Sequence, residues 1–238
     1  MVYEVKLGDE FLMSSMFTVA EEALADLGIA CARALRVAAT TPPDDTDPAE
    51  AEPPEDEGLA VLVGGLGLGY TAVAALRHTD VIAVDVIEAL APVISWHEQR
   101  LLPTSDELLD DPRVRMLLAD FFAVIGGAVG DQVGARASYD VIALDIDHAP
   151  DFVLHPDHQG FYTTAGLRGA AAMLSPGGVF ALWSDRAPDE GFITTARTVF
   201  DMVDARVVPF ANSLTGGTSS NTVYLAHRLS MTSPAGSG

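Results

Sequence analysis

The sequence predicts an α/β protein: a doubly wound, mostly parallel seven-stranded sheet preceded by a short β-hairpin and a helix. Three observations predict it. From residue 59 onward, apolar runs of strand length alternate with segments of helix length. A glycine-rich turn, Gly64-Gly65-Leu66-Gly67-Leu68-Gly69, follows the first of those runs. The last two runs have no helix between them, so they must pair antiparallel at one edge of the sheet.

The elements follow in order. Residues 3–7 alternate polar and apolar side chains, Gly8-Asp9 supplies a turn, and residues 10–15 return as the second arm of a hairpin. Thr18 and Glu21 have the spacing of a capping box. Val19, Ala23, Leu24, Leu27, Ala30, Cys31, Ala34 and Leu35 then recur at helical intervals. Cys31 falls on that stripe and reads as a small buried hydrophobe rather than a catalytic thiol. Residues 40–58 are Pro-rich and carry eight acids with no basic residue. Such a segment buries too little apolar surface to offset its ordering entropy, so a disordered linker is expected. Residues 1–39 form the hairpin and helix, 59–230 the α/β domain, and 231–238 a flexible tail.

Within 59–230, strands are expected at 59–64, 81–86, 113–118, 139–145, 179–183, 206–211 and 222–227. Helices are expected at 70–77, 89–102, 160–174 and 189–203. Ser175-Pro176-Gly177-Gly178 reads as a helix stop. The uncharged stretch 59–76 reaches membrane-helix length, but the glycines clustered in its middle favour strand, turn and helix.

Composition narrows the function classes. Lys and Arg total 13 against 34 Asp and Glu, a net charge of −21, which argues against nucleic-acid binding. The single cysteine excludes an internal disulfide framework and a cysteine zinc cage. A reducing, cytoplasmic setting fits best. The N-terminus has no basic region followed by an apolar run, so no signal peptide is expected. The expected partner is a small-molecule substrate, with no nucleic acid and no membrane; a homodimer is left open.

The glycine turn is the first candidate site. Glycines at Gly64, Gly65, Gly67 and Gly69 allow a sharp turn and close approach of backbone to ligand, as in nucleotide-binding folds. Asp85, read as ending the second strand with Val86 beside it, is placed to take both ribose hydroxyls. Asp120 follows the third strand, where its carboxylate and the Phe121 ring suit an adenine. Asp145 ends the fourth strand over the same crevice, and Asp147 follows it; these two are the candidate catalytic acids. Ligands bind at strand carboxyl ends where such sheets reverse direction. His148, His155 and His158 flank Asp147, Asp151 and Asp157. This pattern could hold a divalent metal, but polar lining is the commoner role, and no metal is expected. Trp96 and His97 read as core packing and a helix-end polar residue.

Several motifs together carry a family resemblance. They are the run from Val61 to Thr71, Val84-Asp85-Val86-Ile87, Asp111-Pro112-Arg113-Val114, Ala119-Asp120, Tyr139-Asp140-Val141-Ile142-Ala143-Leu144-Asp145, Phe161-Tyr162 and Leu174-Ser175-Pro176-Gly177-Gly178. With them the chain resembles the polyamine aminopropyltransferases, the spermidine synthase family, within the class I S-adenosylmethionine-dependent methyltransferase fold. The resemblance runs from Leu59 to about Arg228. It implies S-adenosylmethionine or its decarboxylated form as cofactor and an alkyl transfer to an amine or other small nucleophile. Departures lie on the acceptor side. Leu68 stands where the family has an acid in the glycine loop. Asp145-Ile146-Asp147-His148-Ala149-Pro150 puts His148 at the second acid of the family's Asp-x-x-Asp-Pro pattern. Glu21-Glu22 is followed by Ala23-Leu24-Ala25-Asp26 in place of a Tyr-His-Glu cluster. Methyl transfer, cyclisation of the donor's own aminocarboxypropyl arm, and non-catalytic ligand binding are the alternatives.

Overall fold

The computed structural model describes residues 1–8, 10–40, 58–128 and 130–228. The expected linker, apart from its two end residues, and the expected C-terminal tail lie outside the described residues. The hairpin forms as anticipated: β1 (Glu4–Leu7) pairs antiparallel with β2 (Glu10–Ser14). Helix α1 (Val19–Thr40) follows. Its start differs from a capping box. The Thr18 hydroxyl bonds the Glu22 carboxylate at 2.9 Å, and Glu21 is turned inward and buried.

The buried face of α1 is also rotated from the expected stripe. Ala20, Glu21, Leu24, Ala25, Ile29 and Ala32 are buried, whereas Val19 is half exposed and Cys31 only partly covered. The cause is size. A Cβ at Gly28 would lie 2.9 Å from Val141 and 3.4 Å from Ala181, so the helix packs on the sheet through its smallest residues. The larger Leu27 and Leu35 flank that contact, with Cys31 packed beside the core.

The main sheet has seven strands in the order β5-β4-β3-β6-β7-β9-β8. These are β3 (Leu59–Gly64), β4 (Val81–Glu88), β5 (Val114–Leu118), β6 (Tyr139–Leu144), β7 (Leu174–Ser184), β8 (Met202–Asn212) and β9 (Gly217–His227). The first five are parallel, and β9 and β8 complete the sheet as an antiparallel hairpin. The strand order reverses between β3 and β6, which opens a crevice at their carboxyl ends. The uncharged stretch 59–76 is β3, the glycine turn and α2 (Tyr70–Leu76). Among the described residues no helix is long and apolar enough to cross a membrane.

Both faces of the sheet are covered, which is why its central strands are continuously apolar. One face packs Val61, Val63, Val84, Val141 and Ala181 against α1 and α2. The other packs Leu62, Ile142, Leu144 and Phe180 against Phe121, Leu167, Phe192 and Ile193.

Several boundaries move. Helix α3 (Ala91–Glu98) stops before residue 102, because Arg100 adopts φ 56 and turns the chain. Arg100 is held there by Asp106 and Asp110 of α4 (Ser105–Asp110), a helix not expected from sequence. Short α5 (Phe121–Ile125) and α6 (Gly130–Val133) were also unforeseen. Helix α7 (Thr164–Ala172) is shorter than predicted, and its stop signal lies inside β7, where the pairing with β6 shifts register. Helix α8 (Glu190–Ala196) ends early because β8 begins at Met202.

Candidate functional site

The crevice at the reversal point is a cavity of about 350 Å³. The hairpin contributes Val5, Leu12 and Met13 to its wall, and α1 contributes Glu21. The glycine turn contributes Gly65, Leu66 and Gly67; Ile87 and Glu88 come from the end of β4, and Asp120, Phe121 and Phe122 from the start of α5. Asp145, Ile146, His148, Leu154, His155, His158 and Trp183 complete most of the remainder.

The turn itself is rigidly held. Gly65 has φ 93, and a side chain there would collide with the carbonyl oxygen of Asp145, so glycine is required for the turn to pass. Gly67 has φ 45 and lies against Met13 of the hairpin, whose sulfur accepts the Leu68 N–H at 3.0 Å. From below, fully buried His97 bonds the Gly67 carbonyl through Nε2 at 3.0 Å and Ser105 through Nδ1 at 3.2 Å. A carbonyl only accepts, so Nε2 carries the proton and Nδ1 accepts from the Ser105 hydroxyl. Burial lowers the His97 pKa, consistent with a neutral ring. Thr104 ties down the Leu68 carbonyl in the same way. Gly64 and Gly69 shape the turn without lining the cavity. Gly64 abuts Phe121 and Leu144, and Gly69, at φ 84, caps α2 beside Leu108 and Thr104.

Asp85 does not line the cavity. Strand β4 runs two residues beyond the expected end, so Asp85 lies in its interior, paired with Leu62 and Arg115. Its carboxylate is fully buried. It accepts from Arg115 through Nε at 2.7 Å and Nη2 at 2.5 Å, and from the Tyr139 hydroxyl at 2.8 Å. Val86 is core, packed on the α1 face of the sheet. The acid that reaches the cavity from β4 is Glu88. One of its oxygens accepts the Leu66 N–H at 3.0 Å and the other the Leu90 N–H at 2.8 Å. Each oxygen keeps a lone pair for a further donor. The apolar Ile87 after Val86 was the available signal that the strand continued.

Asp120 and Phe121 do line the cavity, with Asp120 capping α5 by accepting the Phe122 N–H at 2.9 Å. Asp145 also sits on the cavity wall, and the Thr71 hydroxyl donates to it at 3.1 Å. Burial pushes its carboxyl up to about 6. Facing the same space, Glu21 is pushed up to about 8 by burial and by the Asp145 charge. Burial, with the charges of Glu22 and Glu21, also raises the Tyr70 hydroxyl. Glu21 was missed in the sequence. It lies three residues before Leu24, on the face that the packing buries, and a Glu on a buried face is the signal.

Asp147 is directed away from the cavity. It is buried and accepts the Leu154 N–H at 2.7 Å, His158 Nδ1 at 2.8 Å and the Tyr162 hydroxyl at 2.8 Å. It therefore clamps the loop after β6 and sets the His158 ring, which packs on Phe122 with centroids 4.1 Å apart. His148 stacks on Phe152 at 5.1 Å, and the Arg186 guanidinium lies 5.1 Å from the other ring centre of that stack, Phe152. Among the described residues no group of three or more His, Cys, Asp or Glu side chains is arranged to hold a metal ion. The Trp183 Nε1 is the buried side-chain polar atom that lacks a partner among the described residues.

No family model matches the chain. A polyamine aminopropyltransferase of Prochlorococcus marinus (strain MIT 9313) is 30% identical over 125 residues, which is 52% of this chain and 40% of that protein. The match thus spans less than half of that relative. Among solved structures, the spermidine synthase from Thermotoga maritima superposes with a TM-score of 0.61 at 17% identity, over 91% of this chain and 62% of that one. A spermidine synthase in complex with the transition-state analogue AdoDATO gives 0.58 at 18%, over 90% and 62%. Human methyltransferase-like protein 13 in complex with SAH gives 0.53 at 22%, over 75% of each chain. The likeness to spermidine synthases and the methyltransferase-type fold are borne out by these relatives.

Proposed function

We propose that this chain is a transferase that binds decarboxylated S-adenosylmethionine in the cavity and passes its aminopropyl arm to an amine. The observation that carries this reading is the charge of the lining: Glu21, Glu88, Asp120 and Asp145 are present, and no Lys or Arg lines the cavity among the described residues. S-adenosylmethionine carries an α-carboxylate, which would enter such a site unpaired and face like charges. The decarboxylated donor carries only a sulfonium and an ammonium, so its charges match. The name of the curated relative, a polyamine aminopropyltransferase, and the AdoDATO complex of a structural neighbour support the same donor.

In this reading Glu88 takes the ribose hydroxyls with its free lone pairs, since it ends β4 beside the glycine turn. Asp120 and the rings of Phe121 and Phe122 hold the adenine. A sulfonium is already a good leaving group, so the protein chiefly orients the reacting atoms in line. The amine must attack as the free base. Asp145, with its carboxyl raised to about 6, is ionised near neutral pH and accepts the proton the amine loses.

Mass spectrometry of products from the decarboxylated and the intact donor, each with and without amines, tests the reading. Gain of one aminopropyl group on an amine is the expected result. Methylated product from the intact donor, or a cyclised product with no acceptor, overturns it.

A further inference from the structure

We infer that the acceptor is a primary amine bearing one nitrogen and an apolar body, not a diamine. This inference rests on the donor reading above and extends it to the second substrate.

Of the four lining carboxyls, Glu88 faces the ribose position and Asp120 the adenine position. Glu21 and Asp145 remain, on the wall shared by α1, α2 and the end of β6. The donor brings a sulfonium and an ammonium, two positive charges for two carboxylates. Their arrival returns both raised carboxyls to the ionised form. The attacking amine is neutral when it reacts. A diamine would carry a further ammonium at its far end, and that charge needs a third carboxylate. None exists among the described lining residues. The near positions hold other groups instead. Leu68 is fully buried, and His148 lines the cavity with its ring stacked on Phe152, over which Arg186 sits.

The walls point the same way. Strand alternation puts Val141, Ala143 and Asp145 on one face of the sheet, together with Val179, Ala181 and Trp183 from β7. This is the face that α1 covers, so Asp145, Glu21 and Trp183 share one end of the cavity. The hairpin closes that end with Val5, Leu12 and Met13, and Met13 is anchored to the glycine turn. An alkyl or aralkyl body buries apolar surface against Val5, Leu12, Met13 and Trp183, whereas a further ammonium there would find Glu21 and Asp145 already matched to the donor's two charges.

The step balances. The amine lone pair forms a bond to the aminopropyl carbon attached to sulfur. The carbon–sulfur bond breaks with its electrons on sulfur, releasing neutral methylthioadenosine. The new secondary ammonium gives up its extra proton to Asp145 and thence to solvent.

The test measures methylthioadenosine release by the full chain with decarboxylated S-adenosylmethionine and either n-hexylamine or putrescine. Calorimetric binding of methylthioadenosine is measured alongside. The expected result is methylthioadenosine binding and a kcat/KM for hexylamine at least tenfold above that for putrescine. His148→Asp, which supplies the missing carboxylate, should move the ratio at least tenfold toward putrescine. Absence of methylthioadenosine binding overturns the donor reading itself. Binding with equal or better use of putrescine, or with turnover of neither amine, overturns this inference and leaves the donor site standing.

Discussion

Asp85 and Asp145 come from similar sequence, each an acid in an apolar strand run, and the fold gives them opposite lives. Asp85 lies inside β4 with the Arg115 guanidinium and the Tyr139 hydroxyl on its oxygens. Asp145 stands just past the end of β6 with the Thr71 hydroxyl as its side-chain donor and a cavity in front of it. A carboxylate whose lone pairs are filled by the protein joins strands together. One left short of partners is held at an energetic cost that a cationic ligand relieves. The contrast separates architecture from chemistry in this molecule.

The largest effect that sharpens the contrast is on stability. Asp85→Ala leaves Arg115 and Tyr139 without their buried partner. Because Arg115 is partly solvated, the loss belongs at the low end for a broken buried pair, about 3 kcal/mol. Thermal denaturation should show a fall on the order of 10 °C, while the folded fraction keeps its affinity for methylthioadenosine. Asp145→Asn should do the reverse, lowering aminopropyl transfer roughly a hundredfold with the melting temperature kept or raised. An Asp85 variant that folds normally but loses ligand would erase the distinction.

Glu88 extends the test to the β4 acid that lines the cavity and is proposed for the ribose contact. Glu88→Gln keeps the shape but removes the charge that favours two ribose hydroxyls. Titration calorimetry should show methylthioadenosine affinity lowered about tenfold, or about 1.4 kcal/mol. Unchanged affinity would return the ribose contact to an unassigned residue.

The raised carboxyls give a pH signature. Asp145 moves from 3.8 to about 6 and Glu21 from 4.5 to about 8, so the folded state holds more protons than the unfolded one across this range. Stability of the unliganded protein therefore falls as pH rises from the unfolded values through the folded ones. Melting temperatures should decline by several degrees between about pH 5 and 8, and Glu21→Gln should flatten the part above pH 6. A wild-type profile that rises over that interval would contradict the burial of this pair. The next residue behaves in the opposite sense. Burial raises Glu22, but hydrogen bonds from Arg77 and Thr18 outweigh it and leave its carboxyl below the usual range. Its contribution is present at neutral pH and is lost on acidification. Because Arg77 is largely exposed, Glu22→Gln should cost only about 0.5 kcal/mol in denaturant unfolding at pH 7.

Much of this was legible in the residues. Apolar runs of strand length located all seven strands, and the turn at Gly65 and Gly67 and the acids Asp120 and Asp145 fell on the cavity at the strand ends. The misreadings share a cause, which is that local pattern does not report tertiary geometry. Asp85 looked terminal because the run was cut at Val86, two residues before the strand ends at Glu88. Asp147 looked catalytic by adjacency, but it lies past the end of β6, where the pleat no longer sets side-chain direction, and Leu154, His158 and Tyr162 hold its carboxylate in the loop. Glu21 was hidden because α1 packs through alanines and Gly28, whose faces carry little hydrophobic contrast. Short helices such as α4 and α5 are too brief to be stable alone; Arg100 holds α4 through Asp106 and Asp110, and Asp120 caps α5.

The packing of α1 has a consequence for biosynthesis. Its buried face lies on Val141 and Ala181, strands made long after the helix itself. About 140 residues separate the end of α1 from the end of β7. At bacterial-to-eukaryotic translation speeds, the nascent helix waits roughly 7–30 s with its alanine face uncovered. Glu21 sits on that face, so until the sheet arrives the exposed surface carries an ionised carboxylate among its alanines.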